Sequence, residues 1–307
     1  MGRIDHMKRH ILRSLPYAIL LFLLIQGISC GTAKSLYKKV RPKSNGLKKK
    51  VLVLPVIDQA GVGKAKAAEI TNTFAHLLNE DAHLKVFKSN KPLPSKQKTR
   101  SPEFGIVIDP QMAKRAQELG MNVLITVVLN PFEITSKKSG IWPFRKLREE
   151  AEISLLVNAM DIVTGTLFLS NMETEKVKIP EEFSEEQVKK EEIDDYILGE
   201  ALSDLLEDQA SAVTSELRDE PWWGWLVSMD GKNIVINAGG DVGLTRGTVF
   251  EVFALGESIR SAKGESFYLL GPKVGEIETV KIMHSNALAV PLNGGEFKPG
   301  QLIKIKD

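Results

Sequence analysis

Cysteine is nearly absent from this chain of 307 residues: there is one, Cys30. A single thiol permits no internal disulfide, and it excludes Cys-x-x-Cys redox chemistry and zinc ribbons. Histidine is scarce too. Of the five, His6 and His10 fall in the N-terminal segment, while His76, His83 and His284 are scattered, with no i,i+4 pair and no His-Glu-x-x-His. Beyond the N-terminal segment, where His6 and His10 stand four apart, the histidine spacings that mark metal sites are therefore missing. An excess of one charge is missing as well: 41 Lys and Arg against 39 Asp and Glu leave a net charge of +2. That balance argues against a dedicated nucleic-acid binder. No Gly-x-Ser-x-Gly elbow occurs, so the common serine-hydrolase signature is lacking. No metal and no cofactor is expected.

What is present begins at the N-terminus. A basic lead (Arg3, Lys8, Arg9, Arg13) precedes the apolar run Leu15 to Ile25, which ends in Gly27-Ile28-Ser29-Cys30-Gly31. A charged beginning, a short apolar middle and small residues at the end are the layout of a secretory signal. With a cysteine where cleavage falls, residues 1–30 resemble a bacterial lipoprotein signal peptide. The resemblance implies that Cys30 is the lipidated, palmitate-bearing first residue of the mature protein. The pattern departs from the family at Gly27, where Leu is usual; Ser29 and Gly31 fit. Gly31 is not the Asp that resembles an inner-membrane retention signal, so the expected location is the outer membrane, lipid-anchored and facing the periplasm. An uncleaved anchor is the alternative. A spanning helix needs about 20 mostly apolar residues, and Arg13, Ser14 and Pro16 interrupt this run. In both cases the basic end stays in the cytoplasm and the rest is exported. Met7 can start the chain as well as Met1.

Residues 31–50 read as a basic tether, rich in lysine and punctuated by Pro42, Ser44, Asn45 and Gly46. On random-coil scaling it holds the first domain some 25 Å from the bilayer. That domain, of α/β type, is expected over 51–220. Val51 to Ile57 is a continuous apolar run, as in a strand buried on both faces. Residues 62–80 carry apolar side chains at helical spacing, Leu84 to Phe87 is a short strand, and Pro110 leads a helix that stops at Gly120. Strands are expected at 121–129, 152–161 and 166–177, then a helix over 182–217. The order implies a mixed sheet with packed helices. From 221 to 307 short strands recur between Gly-rich turns, which reads as a small all-β barrel or sandwich.

Val51-Leu52-Val53-Leu54-Pro55, the stretch Ala116 to Ile125, and Leu155 to Asp161 followed by Thr164-Gly165 resemble a family of exported α/β domains. That family includes the TolB N-terminal domain and CsgG, the curli secretion lipoprotein. Ile236 to Leu244, Arg246 to Val252, Gly275-Glu276-Ile277, Ala287-Leu288-Ala289 and Phe297 to Gln301 are similar to the C-terminal β module of FlgT. These resemblances imply a TolB- or CsgG-like fold followed by a FlgT-like, non-catalytic module.

Gly61-Val62-Gly63-Lys64 sits where a phosphate loop would, but Asp58 and Ala65 stand where that motif needs Gly and Ser or Thr. Asp58 and Asp161 end buried strands and are expected to cap turns. The sharper alternative makes them the acids or bases of a cell-wall hydrolase or sugar-binding enzyme. Two aromatic clusters are candidate membrane or partner contacts. Trp142, Phe144, Arg145 and Lys146 lie in a loop that interleaves rings and cations, and Trp222, Trp223 and Trp225 lie at the domain junction, where packing competes with binding. The expected role is a non-enzymatic binding or scaffold component of an envelope, secretion or flagellar-type assembly, with protein partners and room for self-association. A CsgG-like oligomeric export channel is the alternative. The Trp142 segment lacks the alternating run of about 9–11 residues that a membrane strand needs.

Overall fold

The computed structural model describes residues 46–91, 110–139, 145–180, 183, 190–260 and 266–306. The lipidation candidate Cys30 and the aromatic pair Trp142 and Phe144 lie outside the described residues.

The first half is a mixed sheet between helical layers. Strand β1 (Lys49–Val53) is buried along its whole length, as its apolar run requires. It pairs in parallel with β3 (Leu84–Lys88) and β4 (Val123–Leu129). The short β2 (Ile57–Asp58) joins the far end of β4. Antiparallel strands complete the sheet: β5 (Glu133–Ser139), the long β6 (Lys146–Asp161) and β7 (Leu167–Ile179). Alternation sorts the side chains to two faces. Val51, Val53, Ile125, Val127, Ile153, Leu155 and Val157 face helices α1 (Lys64–Asn79) and α3 (Lys190–Asp219), which contribute Ile70, Phe74, Ile197, Leu205 and Val213 to that core. Leu52, Leu54 and Leu124 face the short α2 (Pro110–Glu118) through Met112 and Ala116.

The second half is a closed antiparallel barrel of six strands in the order β10-β11-β12-β9-β8-β13. These are β8 (Trp223–Asp230), β9 (Asn233–Ile236), β10 (Val249–Arg260), β11 (Ser266–Ile282), β12 (Ala287–Gly294) and β13 (Leu302–Ile305). Closure removes exposed strand edges, and Leu226, Ile236, Phe250, Val252, Ile277 and Ile303 fill the interior. The fold class read from the sequence holds, with the barrel and not the sandwich as the second half.

In the sheet two strands depart from expectation, and in the barrel β8 is a further strand where the sequence reads as a junction. β5 is an addition: its residues from Glu133 to Lys138 are exposed on both faces, so no alternation marks it. β6 starts at Lys146, six residues before the expected Glu152, because it continues past the core beside β5. The expected loop around Trp142 is therefore flanked by the paired ends of a hairpin.

Candidate functional site

The sheet and the barrel meet where β1, β4 and β6 have their ends, and the buried polar residues Lys49, Lys50 and Asn122 lie there. Asn122, immediately before β4, joins four segments. Its backbone N–H donates to the Lys50 carbonyl at 2.8 Å, and its own carbonyl accepts from Ile162 N–H at 2.9 Å. Its Oδ1 accepts from Lys50 N–H at 2.8 Å, and its Nδ2 donates to the Trp223 carbonyl of the barrel at 2.7 Å. With both its side-chain oxygen and its nitrogen hydrogen-bonded, this buried amide is a structural node.

Lys49 and Lys50 point to opposite faces of β1, as neighbours on a strand must. The Lys49 ammonium donates to the carbonyls of Leu217 and Glu220 at the end of α3, where a cation also meets the negative pole of the helix dipole. Burial depresses its pKa to about 8, against the pull of Glu220, Asp161 and Asp219. Lys50 reaches the barrel instead. It pairs with Asp241 at 3.1 Å, and Lys85 on β3 pairs with the same carboxylate oxygen at 3.1 Å. The Asp241 side chain is only 3% exposed. Burial pushes its carboxyl up, but hydrogen bonds and charge from Lys50 and Lys85 outweigh that and hold it below the usual carboxylate range. The chain enters the folded body through the barrel. Leu47 is inserted in the barrel core, and Lys48 N–H donates to the Val242 carbonyl at 2.9 Å. Both lie inside the expected tether, and β1 already starts at Lys49.

The tryptophans pack this junction. Trp222 is buried in the barrel core, its ring 5.9 Å from Phe250. Trp225 packs with Leu302 and with Val163 from the β6–β7 turn, which seals the sheet to the barrel. Trp223 lies edge-on to Phe253 at 5.8 Å and is half-buried, so it alone of the three keeps substantial exposed ring surface. Gly224 makes the cluster possible: a Cβ there would lie 2.4 Å from the Trp222 ring and 2.5 Å from Asn237 Oδ1.

The two aspartates weighed as acids or bases are far apart. Asp58 pairs with Leu129 at one end of β4, and Asp161 pairs with Val123 at the other. Six residues of strand separate them by about 20 Å. Asp58 accepts from the N–H groups of Gly61 (2.7 Å), Val62 (3.2 Å) and Gly63 (2.9 Å). The amides a phosphate would need at this turn are therefore held by the chain's own carboxylate. Asp161 accepts from Val163 and Thr164 N–H at 2.7 and 3.0 Å. Its carboxyl is raised by burial, against those amides and the charge of Lys49. A cleft lined by Lys49, Asn122, Asp161, Phe168, Glu220 and Trp223 has a volume of about 10 Å³. That is room for about one water, against roughly 300 Å³ or more for a small-molecule pocket. Among the described residues no cluster of His, Cys, Asp or Glu is arranged to hold a metal, and no helix is long and apolar enough to cross a membrane.

Of the other candidates, Arg145 is exposed and Lys146 opens β6 opposite Ser139. Sequence reasoning missed Lys49, Lys50, Asn122 and Asp241. The lysines merge with the basic stretch before them, and no spacing rule marks Asn122 or Asp241.

No family model matches the chain, and no curated protein gives a significant match. Several solved structures are similar over about half of it. The hypothetical protein CT253 from Chlamydia trachomatis is 14% identical over 56% of this chain and 99% of that one, with a TM-score of 0.37. The PelC dodecamer from Paraburkholderia phytofirmans is 12% identical over 56% and 88%, with a TM-score of 0.30. Lipoprotein GNA1162 from Neisseria meningitidis is 14% identical over 56% and 99%, with a TM-score of 0.29. At these scores, what this chain does has to be argued from its own residues.

Proposed function

We propose that this protein is a periplasm-facing lipoprotein of a bacterial outer membrane, held by acyl chains on Cys30. It works without catalysis, as a binding or scaffold component of an envelope, secretion or flagellar-type assembly. The observation that carries the reading is Cys30 itself, the chain's only thiol, placed after a basic lead and a short apolar run. Further support comes from how the buried charges are spent. Lys49, Lys50, Lys85, Asp58, Asp161 and Asp241 each cap a turn, close a helix or join sheet to barrel. Groups used in this way stiffen a body, and the cleft that Lys49 and Asp161 share has room for about one water. Trp142, Phe144, Arg145 and Lys146 are the proposed contact with partner or membrane, with Trp223 a second contact at the junction. β5, at seven residues, is shorter than the 9–11 residues or so of a membrane strand, which weighs against the export-channel reading.

Fractionation tests the proposal. The wild-type protein should sediment with outer membranes and need detergent for release. Cys30→Ala should either appear in the soluble periplasm or stay unprocessed in the inner membrane. A wild-type protein recovered from the cytoplasm would remove the reading.

A further inference from the structure

Two surfaces of opposite charge lie on different sides of this molecule, and each sets like charges beside one another. The first is the end of the β5–β6 hairpin. β7 runs beside β6 only as far as the Ile179–Glu149 pair, so beyond it β5 and β6 form a two-stranded ribbon. Residues 137–148 include Lys137, Lys138, Arg145, Lys146 and Arg148 and no acid. Lys137 stands directly opposite Arg148, a like-charge cross-strand pair of the kind that destabilises a ribbon. Lys137 leans back on Glu150 at 2.7 Å. Lys138, Arg145 and Arg148 are exposed and form no ion pair among the described residues.

The second surface is the outer side of α3. From Glu191 to Leu217 the helix has no lysine or arginine. Glu192, Asp195, Glu200, Asp204, Glu207 and Asp208 are exposed. Of these, Glu200, Asp204, Glu207 and Asp208 share one side of the helix, over about 12 Å at 1.5 Å per residue. Glu200, Asp204 and Asp208 are successive i,i+4 neighbours of like charge, which costs helix stability.

Lys138, opposite Leu147, has the parity of the α3-facing side, but the Lys137–Arg148 pair cannot reach α3 within its own chain. Ala151, Ile153 and Leu155 of β6 face α3. Arg148 and its partner Lys137 have the opposite parity and lie on the other face of the sheet. We infer that the basic β5–β6 ribbon of one copy docks on the acidic outer face of α3 of a second copy. The contact is head-to-back, so it is heterologous: it propagates from copy to copy, and closes only if the rotation allows. Charge complementarity carries the inference, since each surface supplies the counter-charge the other lacks. It goes beyond the lipoprotein reading and does not need the anchor.

The test uses the full chain in detergent, with mass measured by light scattering. At about 0.1 M salt, where screening reaches about 10 Å, the wild-type protein and Cys30→Ala should both form multimers. At about 1 M, with a screening length of about 3 Å, both should fall to monomers. Lys137→Glu with Arg148→Glu should be monomeric at low salt, and so should Asp204→Lys with Asp208→Lys. An equimolar mixture of the two double variants should reassociate, which misfolded proteins would not do. Carbodiimide coupling of mixed isotope-labelled and unlabelled chains should join Lys137 of one copy to an acid between 200 and 208 of another. A wild-type monomer at low salt, multimers indifferent to both reversals, or inter-chain cross-links confined to other residues would each overturn the inference.

Discussion

Asn122 illustrates what single residues do here. One short side chain and its peptide tie β1, the β6–β7 turn and the first barrel strand, yet nothing in the linear sequence marks it, because its partners are distant along the chain. Gly224 is a similar case. Its role is visible only once the Trp222 ring is seen folded across it. Gly224→Ala should destabilise the protein by about 1–3 kcal/mol through overpacking, read as a fall in thermal midpoint. Asp241→Ala leaves the buried Lys50 ammonium without its counter-charge, a defect that costs about 3 kcal/mol or more; urea unfolding should show it. Lys49 gives a pH signature. Its pKa is about 8 in the folded protein, below the 10.5 of a solvated lysine, so between those values the unfolded chain binds more protons and stability rises with pH. Below about pH 8 both states are protonated and the full penalty applies. Measured against Lys49→Met, the wild-type protein should gain up to about 3 kcal/mol from pH 7.5 to 10.5. A flat difference would show that the lysine is not desolvated.

Among the elements, those with one buried face are legible in the sequence and those without are not. The buried run at β1 and the apolar spacing of α1 and α3 announce themselves. β5 carries Glu133, Ile134, Thr135, Ser136, Lys137 and Lys138 all exposed, so the alternation that identifies a half-buried strand has no cause to exist. β8 is hidden for a different reason. Its Trp-Gly-Trp start reads as a junction between domains, whereas it is the barrel strand that lines that junction. The acidic stripe on α3 makes a prediction at this scale. Asp204→Asn with Asp208→Asn removes i,i+4 repulsion and should raise the midpoint of the monomer at high salt slightly, by about 0.2–0.5 kcal/mol for each pair relieved. A lowered midpoint would mean that these carboxylates have stabilising partners.

At the scale of the molecule, the order of a mixed α/β sheet followed by a small β module is readable from composition and turn spacing. The way the two are joined is not. Leu47, Lys50 and Asp241 place the start of the folded chain against the barrel segment that follows β9, a contact that no local pattern encodes. The N-terminal segment presents the reverse case: Cys30 is the most legible feature of the chain and lies outside the described residues. The account of where this protein works therefore stands on one thiol, and labelling tests it most directly. Cells expressing the wild-type chain and supplied with labelled palmitate should yield a labelled protein, and Cys30→Ala should carry none. Absence of label on the wild-type chain, or label retained by Cys30→Ala, would contradict the account.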